Sequence, residues 1–376
     1  MDSTQLLSNI ADLSRLELLV EALQRLYRIL SPADQAHYRD VFHPYTKETA
    51  GQYTYRIHGK AAVWQRIEQV GQVLAGLLDE LRGYREEPVY QTVQRFFDEN
   101  FQRVETQVKA KTNDQITPGC LQSFDDLEAS YRVKCHRAYK GYVGNLSETC
   151  DPDNPLQLIT DVQVEPNRTS DIALLQQALA NLQAHTTLET LVTDGGYVSP
   201  QVDRQLMQSG IEQITTGLTG TLPDHLDGKQ ALSDFEMELD SDGAVRKATC
   251  PLGQAAVVHP SASQKSSKLT FDPQVCLACP LFLGGQCPIQ TNKKKTQCFL
   301  TVPKERALSS QRRRRFERCK EEARALRPAV EATVFQVKHA LQRGKVRVRG
   351  LFRTTWVILC AALAVNMRRI YRYECG

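Results

Sequence analysis

The sequence predicts an α/β protein, and three observations predict it. Residues 117–248 interleave short β-rich runs with helical stretches, a block of helical periodicity precedes them, and a helical, strongly basic stretch follows them. The chain of 376 residues can bury one large core or two modest ones. Hydrophobic residues at 41% and charged residues at 24% are ordinary for a soluble globular protein.

The elements follow in order. Leu6, Ile10, Leu13, Leu16, Val20 and Leu23 recur every three or four residues, which predicts a helix over residues 5–31. Ser31-Pro32 ends it, with Pro32 suited to the first turn of the next helix. From residue 60 to 110 the apolar spacing stays helical (Val63, Ile67, Val70, Leu77, Leu81, then Val93, Phe97, Phe101), so residues 1–116 form one helical region after a short start. A polar linker over 113–122 carries Pro118-Gly119. Strands are expected over 139–149 and 156–164, a helix over 171–182, a compact apolar strand over 188–193, a helix over 200–209 and a strand over 211–216. Residues 217–300 look irregular, with the cysteine-bearing part at 249–300. Residues 301–376 look helical, and the apolar run 356–365 is expected to be a buried core helix, too short to span a membrane.

The net charge of +4 hides an asymmetry: residues 301–376 carry 19 Lys/Arg against 6 Asp/Glu, a charge of +13 on an otherwise acidic body. Such a split points to an anionic polymer as partner. Arg312–Arg315 alone reads as a solvated charge run. Met1-Asp2-Ser3-Thr4 has neither the basic start nor the apolar run of a secretory signal, and eleven unevenly spaced cysteines fit a reduced, cytosolic setting.

Three acids stand out. Asp194 ends the apolar strand 188–193 and is followed by Gly195-Gly196, which places a carboxylate at the carboxyl end of a sheet, where ligands reach α/β proteins. Glu331 lies on a helix whose stripe Val330, Val334, Val337, Leu341 faces a core, flanked along its own face by Arg327 and Lys338. Beyond it come Arg343, Lys345, Arg347, Arg349 and Arg353, so an acid embedded in positive charge could hold a divalent metal against a phosphate backbone. Asp2 precedes the first apolar residues. Cys250, Cys276, Cys279 and Cys287, with one tight C-x2-C pair, have the ligand set of a structural zinc site, in a stretch read as lacking an apolar core; Cys298 could replace Cys287.

Taken in order, these features resemble the DDE transposases of bacterial insertion sequences. The residues that carry the resemblance are Asp2-Ser3-Thr4…Ser8-Asn9 (D-S-T-x3-S-N), Asp194-Gly195-Gly196-Tyr197 (D-x-G-Y), Arg327/Glu331/Lys338 (R-x3-E-x6-K), Arg349-Gly350-Leu351, and Asn366 to Arg369 (N-x-x-R), with Tyr139-Lys140-Gly141-Tyr142 between. The resemblance implies a ribonuclease H-like core with a large helical insertion after the first acid and a small cysteine-rich insertion before the C-terminal helices. It implies that Asp2, Asp194 and Glu331 hold Mg²⁺ (or Mn²⁺) for cleavage and transfer of DNA strands at element ends, and that Arg327, Lys338, Arg347, Arg349 and Arg353 contact phosphates. It further implies DNA as partner, a homodimer when acting, a bacterial, nucleoid-associated location and no membrane. Related proteins carry a similar cysteine-bearing insertion, which agrees with zinc. Two departures are expected to matter. Arg324 replaces a tyrosine common in the family. The family's helical end-binding region and the strand leading into the first Asp lie ahead of D-S-T, so this chain is expected to be a truncated copy with weak transposition, or a DNA-binding remnant acting as competitor. Asp126 is the nearest acid that could stand in for Asp2.

Overall fold

The computed structural model describes residues 1–104, 107–218, 228–261, 264–339, 341 and 344–375. The first element is a strand, β1 (Asp2–Leu7), where a helix is expected from residue 5. The helix α1 (Arg15–Ile29) starts only after a reciprocal cap: Ser14 Oγ accepts the Glu17 N–H at 3.3 Å and Glu17 Oε2 accepts the Ser14 N–H at 2.7 Å. Asp2 is the first residue of this strand.

The helical block continues as α2 (Pro32–His37), α3 (Arg39–Thr46), α4 (Ala50–Tyr55), α5 (Lys60–Glu80) and α6 (Pro88–Asn100). It has its own core, with Leu19, Leu23, Leu26, Phe42, Leu74 and Phe96 fully buried. The helical reading to residue 110 fails at its end: β2 (Phe101–Val104) and β3 (Gln107–Ala110) form an antiparallel pair. There Phe101, Val108 and Ala110 turn inward between exposed neighbours, a period of two that the apolar spacing masks.

The central sheet is built around a long strand. It contains β4 (Ser130–Lys134), β5 (Arg137–Glu148) and β6 (Ile159–Pro166), and β5 pairs antiparallel with β1, β4 and β6. After α7 (Asp171–His185) come β7 (Thr190–Thr193), α8 (Pro200–Gln208) and β8 (Glu212–Thr215), a β-α-β unit whose strands are parallel. The Met1 amino group donates to the Val192 carbonyl at 2.9 Å and so joins the start of β1 to β7. Gly141 lets β1 approach β5: its φ is +149°, and a Cβ there would lie 2.4 Å from the Leu6 carbonyl oxygen.

Residues expected to be irregular fold instead. A hairpin of β9 (Glu236–Leu239) and β10 (Val245–Thr249) precedes a four-stranded sheet in the order β11 (Val257–Pro260), β12 (Ser266–Phe271), β14 (Cys298–Pro303), β13 (Gln290–Thr291), with the short helices α9 (Pro273–Leu277) and α10 (Pro280–Leu283) between β12 and β13. This part does have an apolar core: Leu269, Phe271, Ile289 and Val302 bury against Phe235, Val245 and Ala307. The core is hidden in the sequence because its members come from three separate stretches.

Two long helices close the chain, α11 (Lys304–His339) and α12 (Leu351–Cys375). Val334, Val337, Ile358, Ala362 and Val365 pack on Leu6, Tyr142, Leu146 and Val164 of the sheet, while α7 and α8 pack Leu175, Leu179, Val202 and Leu206 around Met1 and Leu191. The molecule is thus an α/β structure with helices enclosing its sheet. Only one face of α12 is buried; Phe352, Trp356, Leu363 and Met367 are exposed, which corrects the expectation of a buried core helix. By length and composition alone α12 would suffice to cross a membrane. Arg312–Arg315 is not a solvated run either. Arg312 is nearly buried against Asp203 at 2.6 Å, and Arg314 and Arg315 pair with Glu236 and Glu212, tying α11 to α8, β9 and β8.

Candidate active site

Asp2 and Asp194 come together where β1 and β7 meet, in a cleft of about 480 Å³ also lined by Glu148, Cys150, Thr216 and Arg327. Each motif has a local cause for its geometry. Asp194 caps the turn Gly195–Tyr197, its Oδ1 accepting the Gly196 N–H at 2.7 Å. A Cβ on Gly196 would lie 2.9 Å from Asp171 Oδ2 and 3.0 Å from Asp194 Oδ1, so any larger residue there would push these two carboxylates out of place. Ser3 Oγ donates to Asp171 Oδ1 at 2.9 Å, which links the strand of Asp2 to the helix under the Asp194 turn. Tyr197 is fully buried and donates to Asn145 Oδ1 at 2.7 Å; burial holds its hydroxyl far above the ordinary tyrosine range. Tyr197 is a positioning residue.

Burial raises the pKa of the Asp2 carboxyl, and the Asp194 charge adds to it, against the Ser3 N–H bond that favours the charged form. Arg327 supplies the cation among these acids. Its Nε donates to Glu331 Oε1 at 2.6 Å and its Nη1 to Thr216 Oγ1 at 3.4 Å. The Glu331 hydrogen bond first, and then the charges of Glu331, Asp2 and Asp194, hold the Arg327 guanidinium above its ordinary pKa. Glu331 thus reaches the cleft through Arg327 rather than lining it, and among the described residues no three His, Cys, Asp or Glu side chains converge on a metal-binding point. Two carboxylates in electrostatic contact in a partly desolvated cleft nonetheless fit a divalent cation, the Asp2 charge being costly without one.

The remaining motif residues join the elements. Asn9 donates to the Arg347 carbonyl at 3.2 Å and accepts from Arg349 Nε at 2.8 Å, so D-S-T-x3-S-N and R-G-L meet. Arg349 also pairs with Asp125. Arg347 and Arg353 are exposed; Arg343 lies outside the described residues. Asn366 takes both backbone groups of Ile159 on β6. Arg369 donates to Glu148 Oε2 at 2.9 Å, and Thr333 Oγ1 donates to the same oxygen at 2.6 Å, two residues beyond Glu331 on α11. Glu148 is the residue that sequence reasoning missed; its position at the end of β5, opposite the start of β1, was the available signal. Asp126 cannot replace Asp2. It is buried beside the far end of β1, accepting from Ser8 and, at 2.5 Å, from Tyr142. Lys338 does not line the cleft; it is half-buried, its ammonium held below its ordinary pKa by burial and then by Arg137 and Lys134.

Cys250, Cys276, Cys279 and Cys287 are neighbours, but among the described residues no three of them converge on a metal-binding point. Burial, then the neighbouring Cys298, Cys287 and Cys250, push the Cys276 thiol up to about 12, and Cys287 is raised by burial with Cys279, Cys250 and Cys298 nearby. Gln254 bridges two of them, its N–H donating to Cys250 Sγ and its Oε1 accepting from Cys276 Sγ, each at 3.3 Å.

No curated protein and no solved structure matches the chain. Residues 249–371, which hold the cysteine-bearing sheet, Arg327, Glu331 and Lys338 but neither Asp2 nor Asp194, match a family model described as "Transposase DDE domain". Over those residues the chain is similar to transposase DDE domains, and this similarity supports a DDE transposase that acts on DNA.

Proposed function

We propose that the protein is a transposase of ribonuclease H-like fold that cleaves and transfers DNA strands at insertion-sequence ends. The observation that carries the reading is Arg327, which lines the cleft with Asp2 and Asp194 and donates to Glu331 Oε1 at 2.6 Å. The fold reading is supported by β6–β5–β1 antiparallel, the Met1–Val192 contact to β7, and the parallel pair β7–β8. Asp2 and Asp194 line the cleft and would hold divalent metal there, with Glu331 joining them only after it parts from Arg327. Once bound, the metal would activate water or a DNA 3′-hydroxyl and stabilise the leaving oxygen. The chain's own residues do the rest. Arg327, released from Glu331, offers a planar guanidinium to the phosphate, while Gly196 and Tyr197 fix Asp194. The homodimer and the zinc at Cys250, Cys276, Cys279 and Cys287 belong to the same proposal.

Nicking of supercoiled plasmid by the purified chain in Mn²⁺ tests it. Asp194→Asn and Glu331→Gln should each lower the rate by about a hundredfold or more, as loss of a principal charge-stabilising group does, with DNA binding retained. Metal-dependent nicking that survives Asp194→Asn would overturn the assignment.

A further inference from the structure

The hairpin of β4 and β5 ends in a basic tip that lies outside every motif described above. Lys134 and Arg137 are directly paired across it, and the two loop residues, Cys135 and His136, both have positive φ, 50° and 61°. That is the backbone of a tight two-residue hairpin turn, which keeps the two cations side by side. Residues 134–138 are all exposed, in contrast to the buried body of β5 at 141–147. Arg132 and Lys140, at the base, are neutralised by Asp171 and Asp12, whereas Lys134 and Arg137 at the tip have no carboxylate partner among the described residues. The Arg137 guanidinium instead lies 5.3 Å from the Tyr139 ring centre.

The tip reaches the site from the side of α11. The hairpin is anchored beside the site: Arg132, two residues before Lys134, pairs with Asp171 at 3.5 Å, and Asp171 accepts from Ser3 Oγ, next to Asp2, at 2.9 Å; Lys338 on α11 feels the charges of Arg137 and Lys134. Three cations from three elements, β4, β5 and α11, thus gather with no ion pair among the described residues, beside a cleft that holds Asp2 and Asp194. Like charges held together repel, and an ordered polyanion is the ligand that would relieve them.

We propose that the tip of this hairpin, Lys134 and Arg137 acting with Lys338, is a phosphate-gripping finger that holds a DNA strand across the Asp2/Asp194 cleft. This rests on the reading of the cleft as a site acting on DNA. The acidic floor repels the backbone, and the flanking cations hold it at the distance where only the reacting phosphate enters.

The test uses the full chain with a fluorescent DNA duplex bearing a recessed 3′ end, in Ca²⁺, with anisotropy followed from about 50 to about 200 mM salt. The variant Lys134→Ala/Arg137→Ala should weaken binding about tenfold and reduce the magnitude of the salt slope by about 2, because each phosphate left without its cation keeps its counterion. The pair Lys47→Ala/Lys60→Ala, exposed on the helical block and removing the same charge, should leave the slope unchanged. A second measurement uses the exposed Cys135. A DNA carrying a disulfide tether on a phosphate next to the recessed 3′ end should cross-link to the wild type and not to Cys135→Ser. An unchanged slope, an equal fall in the control pair, or no cross-link at Cys135 overturns the finger. These results would leave the function standing if the wild type still binds and nicks DNA. A wild-type chain that binds no DNA overturns both.

Discussion

Asp2 shows how a single side chain can be set against the fold that holds it. Its carboxyl is raised above the ordinary value of 3.8 by burial and then by Asp194, so the folded protein holds that proton more tightly than the unfolded chain. Stability from this group is therefore full below the unfolded pKa and is lost as pH rises through the folded pKa. At neutral pH the metal-free protein bears the whole cost. Asp2→Asn should accordingly raise the melting temperature of chelator-treated protein at pH 7, with the gain vanishing near pH 3. Mn²⁺ should raise the melting temperature of the wild type and scarcely that of the variant, because ligand binding stabilises only a state that binds it. Scanning calorimetry at two pH values, with and without Mn²⁺, checks both parts. A variant less stable than wild type at pH 7 without metal would contradict the desolvation argument. At this scale the sequence was readable where one residue type had one job, as with Asp194 and its glycines. Glu148 was not, because its partners Arg369 and Thr333 are 221 and 185 residues away.

Elements were legible according to how much of their pattern is local. The helix around Glu331 was readable because its stripe Val330, Val334, Val337 follows a single period; Val334 and Val337 are buried. β1 was not, because its leucines continue at helical spacing into α1 and only the Ser14/Glu17 cap marks the boundary. The cysteine-bearing sheet was misread for a different reason: its core is shared with residues 235–248 and 302–307, so no window within 250–300 shows it. This changes what zinc has to do. A segment with its own core needs no metal to collapse, yet the Cys276 and Cys287 thiols are held protonated by burial and by their cysteine neighbours. Zinc binding should then release about one proton per ligating thiol, with affinity rising with pH. Protein purified without chelator should carry about one zinc per chain. Chelation should lower the melting temperature without abolishing the β-sheet signal in circular dichroism. Absence of zinc together with no proton release on zinc addition would remove the metal from Cys250, Cys276, Cys279 and Cys287.

Across the whole molecule, the charge asymmetry was visible in the sequence but its use was not. The C-terminal residues 301–376 carry +13, and part of that charge is paired with carboxylates elsewhere in the chain: Arg312 to Asp203, Arg315 and Arg318 to Glu212, Arg369 to Glu148, Arg349 to Asp125. These pairs join α11 and α12 to elements far away in sequence and so hold the DDE-like third of the chain onto the sheet. Among the cations left for a partner are those on the connection between the two helices and at the start of α12, of which Arg347 and Arg353 are exposed without an ion pair among the described residues. The two sets should separate in one experiment. Arg347→Ala/Arg353→Ala should leave the melting temperature unchanged and reduce the magnitude of the DNA-binding salt slope by about 2. Arg312→Ala should do the opposite, leaving the slope intact but destabilising the fold by about 3 kcal/mol, because the buried Asp203 carboxylate loses its partner. Thermal melting and anisotropy titrations on wild type and both variants decide the matter. A slope that falls as much for Arg312→Ala as for the double variant would mean that DNA binding follows total charge, and that the pairing of α11 does not select which cations meet the backbone.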